Sequence, residues 1–150
     1  MIIEYQRLDK YVKVPSRSNP SDAGLDVYAN LREEVEVDPG ESVIIPTGLK
    51  FGIPHGYMLQ VMNRSSIAAK RSLMVGAHVI DSGYDGEVFI NLHNVGEKRQ
   101  TVRYGDKIAQ LVMVPVVAFR PQLIGDDLYR QAITISNRGD GALGSTDAKN

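Results

Sequence analysis

Residues 35–62 decide the fold of this chain, and they read VEVDPGESVIIPTGLKFGIPHGYMLQVM. The turn sequences Asp38-Pro39-Gly40, Pro46-Thr47-Gly48 and Pro54-His55-Gly56 divide this stretch into short apolar or alternating runs. Proline and glycine in these combinations are typical of tight turns, so each run is predicted to be a strand. Many short strands at this spacing indicate a β-sandwich, a jelly roll or a barrel.

The same pattern continues on both sides of this stretch, with one more turn at Tyr104-Gly105-Asp106. Further strands are predicted at residues 11–14, 88–92 and 108–117. The one helical candidate is residues 65–72, which we expect to have Ser65 or Ser66 as its N-cap. The predicted fold is all-β: a jelly-roll-like barrel or sandwich with one short helix and a flexible C-terminal arm.

The predicted β domain covers residues 1–135, and the composition changes after it. From Ser136 onward Gly, Ser, Thr, Asp and Asn dominate, and Leu143 is the only large apolar residue. Burial of so little apolar surface cannot repay the entropy of ordering the segment. Residues 136–150 are therefore predicted to be a mobile arm unless a ligand or a neighbouring subunit holds them.

Composition excludes several classes of function. The 150 residues carry a net charge of −1, which argues against a nucleic-acid polymer as partner. Cysteine is absent, so disulfides, thiolate metal sites and cysteine nucleophiles are excluded. The N-terminus has charges where a signal peptide needs its apolar region, and no apolar run is long enough for a membrane span. We expect a soluble cytoplasmic protein.

The first candidate for chemistry is Val79-Ile80-Asp81-Ser82-Gly83-Tyr84, where a strand is predicted to end in a turn. A carboxylate placed there can orient a water for in-line attack on phosphorus, a reaction that asks mainly for alignment and charge neutralisation. The ring of Tyr84 could pack flat against a sugar and exclude an extra hydroxyl. The structural alternatives, a turn aspartate and a core tyrosine, stay open from these residues alone.

Other polar residues could bind phosphate groups. Arg64, Ser65 and Ser66 would offer a guanidinium and two hydroxyls at the start of the helix. Asp26 could anchor an arginine or orient a metal-bound water, and Gln110 interrupts an apolar strand, so its amide needs a partner. Each of these residues could equally serve the fold alone, by capping, closing a turn or bonding within the core.

The glycine-rich arm resembles a phosphate loop in composition but lacks the Gly-Lys-Ser/Thr ending of a Walker A motif. We interpret it as a lid that brings Arg138 to bound phosphates and excludes water. The three histidines show no metal-ligand spacing; they are His55, His78 and His93.

Five stretches in this order resemble the five motifs of the trimeric dUTP pyrophosphatases, the dUTPases. They are Ala23-Gly24-Leu25-Asp26, Arg64-Ser65-Ser66, Val79-Ile80-Asp81 with Tyr84 and Gly86, Gly105-Asp106-Lys107-Ile108-Ala109-Gln110-Leu111, and Arg138-Gly139 with Gly144-Ser145-Thr146. Each motif is weak alone, but together they cover nearly the whole chain in the family's order and spacing.

The resemblance implies a jelly-roll-like fold and a homotrimer whose sites lie between subunits, each closed by another subunit's arm. It also implies Mg²⁺-dependent hydrolysis of dUTP to dUMP and pyrophosphate, which limits uracil in DNA and supplies dUMP for dTTP synthesis. Asp81 would orient the water, Tyr84 would exclude the ribose 2′-hydroxyl, and Asp26 would support the metal through water or the arginine network. The remaining substrate-binding residues would be Arg64, Ser65, Ser66, Gly76, Val79, Gln110, Arg138, Leu143, Gly144, Ser145 and Thr146.

The chain departs from the family pattern at three positions. Leu143 stands where the arm usually carries an aromatic residue that stacks on uracil, and we expect weaker lid closure or a raised KM. His78 stands where glycine is frequent, and Gly83 where aspartate is frequent.

Three alternatives remain. A dCTP deaminase of the same fold would need a glutamate where this chain has Asn91, and an amide cannot do that acid–base work. A nucleotide-binding regulatory protein could use the same pocket and bind an additional protein partner through its loops. A carbohydrate-binding or capsid module would not explain why the chain has the Asp-Tyr turn, Gln110 and the arm together.

Overall fold

A computed structural model of the chain describes residues 1–123, and these form eleven strands and one helix. The strands are β1 (Glu4–Arg7), β2 (Leu25–Tyr28), β3 (Val35–Val37), β4 (Ser42–Pro46), β5 (Leu49–Gly52), β6 (Tyr57–Met62), β7 (Leu73–Val75), β8 (Val79–Asp81), β9 (Phe89–Asn94), β10 (Gln100–Val102) and β11 (Lys107–Pro115). The helix α1 (Ser65–Arg71) lies between β6 and β7. The predicted all-β class with one short helix is confirmed.

All strand pairs are antiparallel among the residues described. The largest sheet has the order β2-β11-β6-β8, and a second has the order β4-β9-β7. Two smaller sheets pair β1 with β5 and β3 with β10. The central strands β9 and β11 each contribute alternate side chains to the core, including Ile90, Leu92, Ala109 and Leu111. This alternation gives each sheet one buried and one outward face.

Residues 1–118 form one compact unit, and a second unit begins at Phe119. The described part of the second unit, residues 119–123, contains no helix or strand. The predicted boundary at residue 135 and the predicted arm lie outside the described residues. Within residues 1–123 no helix is both long and apolar enough to cross a membrane.

The predicted turns are confirmed at their glycines. Gly40, Gly48, Gly56 and Gly105 have φ angles of 81°, 69°, 87° and 78°, in the region that disfavours side chains. At Gly48 a Cβ would also overlap the side chain of Val12, so the turn between β4 and β5 needs glycine for two reasons. This turn contacts the segment that follows β8, through Thr47 and the Gly48 amide.

Two local predictions are wrong. Residues 11–14 form no strand, because Asp9 accepts a 2.7 Å hydrogen bond from the Tyr11 amide and turns the chain there. The helix has Arg64 rather than Ser65 or Ser66 as its N-cap, with no side-chain capping bond. Both serines therefore lie inside the first helical turn.

Candidate active site

The segment after β8 presents Asp81 and Tyr84 together. β8 pairs with β6 so that Asp81 lies opposite Met58, and the Tyr84 amide donates a 3.1 Å hydrogen bond back to the Asp81 carbonyl. The predicted strand end and turn are therefore present. A cavity of about 220 Å³, here the first cavity, is lined by Val79, Ile80, Asp81, Tyr84, Glu87, Val88 and Phe89.

The Tyr84 ring is half-exposed and fixed at its hydroxyl. Its Oη donates a 2.7 Å hydrogen bond to the Glu87 carbonyl. The ring lies against Gly86, where a Cβ would overlap the phenol. With 46% of the residue exposed, Tyr84 is not the core aromatic that the sequence left as an alternative. Its ring instead forms a rigid wall of the first cavity.

A second, more polar cavity of about 270 Å³ lies at the start of β2 and of the helix. Its lining includes Gly24, Asp26, Arg64, Ser65 and Gln110. Four of these five residues are among the predicted site residues, and Gly24 belongs to the first of the quoted motifs. The structure therefore brings together three of the motifs that the sequence separates widely.

Asp26 organises the cations of the second cavity. The residue is 7% exposed, and its Oδ1 accepts a 2.8 Å hydrogen bond from Arg64 Nε. Lys107 Nζ lies 2.9 Å from Oδ2. Charge-assisted bonds of this kind are stronger than neutral ones and orient the guanidinium. The sequence suggested that Asp26 anchors an arginine or orients a metal-bound water, and these contacts show that it anchors Arg64.

Gln110 extends from β11 into the same cavity. Its Nε2 donates a 2.8 Å hydrogen bond to the Asn63 carbonyl, which satisfies the amide as the sequence required. Its Oε1 faces Gly24 so closely that a Cβ there would overlap it. Ser66 is exposed and does not line this cavity. Its hydroxyl lies 3.4 Å from Arg64 Nη1 and accepts a hydrogen bond from it.

One chain does not bring the two cavities together. Asp81 lies opposite Met58 and Gln110 lies opposite Met62, on the two flanks of β6. Four positions along β6 and two strand spacings across the sheet put the Cα atoms of Asp81 and Gln110 about 17 Å apart. In one chain Asp81 and Gln110 therefore line two different cavities.

Gly76 and Val79, two of the predicted substrate-binding residues, are only partly available to a ligand. Val79 is 60% exposed and lines the first cavity. The Gly76 amide instead donates a 2.9 Å hydrogen bond to the Asn91 carbonyl, so a ligand could use only the Gly76 carbonyl. The Asn91 side chain is itself bonded. Its Nδ2 donates a 3.3 Å hydrogen bond to the Val43 carbonyl, and its Oδ1 accepts a 2.8 Å bond from His93 Nε2.

Among residues 1–123, no three His, Cys, Asp or Glu side chains are grouped to hold a metal ion by themselves. The predicted arm residues lie outside the described residues; they are Arg138, Leu143, Gly144, Ser145 and Thr146.

Sequence reasoning missed four residues that bond to the predicted ones or line a cavity with them: Asn63, Glu87, Phe89 and Lys107. Lys107 stands inside a motif that was quoted only for Gln110. Phe89 could have been found as the outward residue of a strand that alternates with buried Ile90, but outward apolar residues are common and carry little signal alone. Asn63 and Glu87 act through partners distant in sequence, and no local pattern reports such contacts.

Comparison with known proteins identifies the family of the chain. A family model described as dUTPase matches residues 10–146. The deoxyuridine 5′-triphosphate nucleotidohydrolase of Desulfitobacterium hafniense is 40% identical over 147 residues, which cover 96% of this chain and 93% of that protein. The protein of the same name from Desulfotalea psychrophila is 37% identical over 137 residues, covering 90% and 87%.

Solved structures give the same result. The dUTPase of Staphylococcus bacteriophage 80alpha, solved as a glycine-to-serine mutant with dUpNHpp, has a TM-score of 0.82 at 26% identity and covers 97% of this chain and 98% of that chain. A mutant dUTPase from phage phi11 of S. aureus, whose structure describes the coordination of a structural Mg(II) ion, has a TM-score of 0.75 at 25% identity. The match covers 83% of this chain and 97% of that chain. The predicted jelly-roll β fold is thereby confirmed. Since the family model and the relatives span most of the chain, the chain belongs to the dUTPase family.

Proposed function

We propose that this chain hydrolyses dUTP to dUMP and pyrophosphate. The observation that carries the proposal is the first cavity, in which the Asp81 carboxylate and the Tyr84 ring line one space. The names of the relatives, deoxyuridine 5′-triphosphate nucleotidohydrolases, support the substrate. In cells this reaction would limit uracil incorporation into DNA and supply dUMP.

Asp81 is proposed as the catalytic residue. Its carboxylate accepts a hydrogen bond from a water and aligns the water oxygen with the α-phosphorus. The Asp81 carboxylate takes a proton from the water as the new bond forms between that oxygen and phosphorus, the bond from the α-phosphorus to the α,β-bridging oxygen breaks, and pyrophosphate leaves. Because phosphoryl transfer relies on positioning and electrostatics, a weak base held in line is sufficient.

Tyr84 is proposed to select deoxyribose. Its ring is fixed by the bond from Oη to the Glu87 carbonyl, so it cannot swing away from a larger sugar. A ribose 2′-hydroxyl against the ring face would meet a rigid apolar wall and lose its hydrogen bonds to water, which costs about 1–3 kcal/mol. Val79, and the carbonyl of Gly76, would contact the base.

The second cavity is proposed to bind the phosphates. Arg64, held by Asp26, and the groups of Ser65, Ser66 and Gln110 would neutralise and orient them. Mg²⁺ requires only one or two protein carboxylates when substrate phosphates supply its other oxygens, and Asp22 and Asp26 both line this cavity. Asp22 would face a magnesium ion that arrives with the triphosphate, while Asp26, whose two oxygens already hold Arg64 and Lys107, would support the ion through water. When bound, the ion would neutralise phosphate charge.

The complete site is proposed to form in a homotrimer. The separation of about 17 Å between Asp81 and Gln110 supports this proposal, because one chain keeps its phosphate-binding cavity apart from Asp81 and another copy would place such a cavity beside it. Residues 136–150 would act as an arm on the domain formed by residues 1–135. The arm would bring Arg138, Leu143, Gly144, Ser145 and Thr146 to a site on a neighbouring subunit.

A substrate panel tests the proposal. Purified protein is incubated with Mg²⁺ and dUTP, dCTP, dTTP or UTP, and release of pyrophosphate and ammonia is followed. We expect pyrophosphate from dUTP alone, and none when EDTA replaces Mg²⁺. Ammonia from dCTP, or no turnover of any nucleotide, would overturn it. The internal bonds of Asn91 to Val43 and His93 speak against the deaminase alternative, because that amide is occupied as well as unable to transfer protons.

A further inference from the structure

The segment from Tyr84 to Val88 is fastened to the turn between β4 and β5. Thr47 Oγ1 donates a 2.6 Å hydrogen bond to the Val88 carbonyl, and the Val88 amide donates a 2.8 Å bond to the Leu49 carbonyl. Lys50 Nζ also lies 2.7 Å from Asp85 Oδ1, although the Asp85 side chain is 92% exposed. The segment that carries Tyr84 is therefore supported by the β4–β5 turn and the start of β5.

Among the residues that bond this segment to the β4–β5 turn, Glu87 is the one that also bonds to Tyr84. Its Oε1 accepts a 2.7 Å, partly buried hydrogen bond from the Gly48 amide, 39 positions away. Its backbone carbonyl accepts the Tyr84 hydroxyl at 2.7 Å. Glu87 thus bonds to the β4–β5 turn through its carboxylate and to the Tyr84 hydroxyl through its backbone carbonyl.

We propose that Glu87 is a positioning residue for sugar selection, which fixes the Tyr84 ring by anchoring its own backbone to Gly48. This inference rests on the proposed function, since it assigns Glu87 to the ribose exclusion proposed for Tyr84. A carboxylate that accepts a backbone amide makes a strong, directional bond. The Gly48 amide belongs to a turn that glycine fits, with a φ angle of 69°, and that turn is also bonded to Val88 through Thr47.

The matched variants are Glu87→Gln and Glu87→Ala. Glutamine keeps the acceptor oxygen at the same reach but loses the charge, whereas alanine removes the acceptor. We expect Glu87→Ala to lower the ratio of kcat/KM for dUTP to kcat/KM for UTP about tenfold, the effect of one lost hydrogen bond. Glu87→Gln should keep the ratio close to that of the wild type.

The control is Lys50→Met, which breaks the exposed ion pair with Asp85 and leaves the Glu87 contact intact. Exposed pairs contribute little, so its ratio should not change. An equal loss of activity on both nucleotides in Glu87→Ala would overturn the inference, because it would show a contribution to stability alone. A loss in Glu87→Gln equal to that in Glu87→Ala would also overturn it. If Glu87→Ala does not fold, Glu87→Asp, one methylene shorter, takes its place.

A second measurement separates this inference from the proposed function. Amide hydrogen exchange at Gly48, followed by NMR, reports the anchor without any substrate. We expect faster exchange in Glu87→Ala and unchanged exchange in Glu87→Gln and Lys50→Met. Unchanged exchange in Glu87→Ala would overturn the anchor even in an active enzyme. Absence of turnover by the wild type, with the exchange pattern as expected, would instead overturn the proposed function.

Discussion

Asp26 and Arg64 are joined by a 2.8 Å hydrogen bond across 38 positions of the chain, and Lys107 holds the other carboxylate oxygen at 2.9 Å. A buried carboxylate between two cations balances charges that would otherwise repel each other. Its removal therefore affects both the stability of the fold and the orientation of Arg64.

We expect Asp26→Asn to lower the free energy of unfolding by about 2 kcal/mol, because the amide leaves two partly buried cations without their counter-charge. Urea unfolding measures the change. Glu34→Gln, which breaks only the exposed pair with Arg103, is the control and should change stability little. Equal losses in the two variants would contradict a special role for Asp26.

Asp81→Asn is expected to lower kcat about 10²–10⁴-fold with little change in melting temperature, since the amide cannot take the water's proton. Steady-state kinetics with dUTP and thermal unfolding are the two measurements. Asp85→Asn lies in the same turn with its side chain 92% exposed and should retain nearly full activity. Comparable losses of kcat at both positions would contradict a specific role for the Asp81 carboxylate.

Gly24→Ala is expected to raise the KM for dUTP about tenfold, because the new Cβ overlaps Gln110 Oε1 and displaces that amide from the phosphate-binding cavity. Gly52→Ala is the control, since a Cβ there lies 3.8 Å from the Glu4 carbonyl, an ordinary contact. A KM unchanged by Gly24→Ala would mean that the position of Gln110 does not matter for binding.

Mixing two inactive variants tests whether the site is shared. Asp81→Asn and Arg64→Ala are unfolded together in equal amounts and refolded, and dUTP hydrolysis is measured. If Asp81 and Arg64 of one site come from different subunits, about a quarter of the sites in randomly mixed assemblies carry both native residues. Recovered activity near that fraction is expected, whereas a site within one chain would recover none.

Leu143→Phe is expected to lower the KM for dUTP, because an aromatic ring stacks on a base with about 1–3 kcal/mol and leucine keeps only part of that. The value of kcat should be unchanged. Steady-state kinetics on wild type and variant decide the matter, with native mass showing that assembly is the same. An unaltered KM would remove Leu143 from the list of substrate contacts.

The turns were the most predictable part of the fold. Gly40, Gly48, Gly56 and Gly105 lie where positive φ angles are found, because proline and glycine dictate backbone geometry locally. Strand β1 (Glu4–Arg7) was not predicted, since all four of its residues are exposed and it depends on pairing with β5. Arg64 replaced the serines at the helix N-cap because its side chain is directed to Asp26, a contact that no local preference reports.

The candidate site was predictable in its parts but not in its grouping. Asp81 with Tyr84, and Arg64 with Gln110, were found from residue type and motif order. Their division between two cavities follows from the register of β8 and β11 on β6, which depends on pairing between distant strands. The contacts of Glu87 and Lys107 likewise arise only when distant segments meet.

The opposite positions of the two cavities across β6 also have a genetic consequence. If the proposed shared site forms, a chain defective in both cavities would take part in two different sites of a mixed assembly and disable each of them. The loss of activity in a mixture would then exceed the share of defective chains. An allele that encodes such a chain would act as a dominant negative.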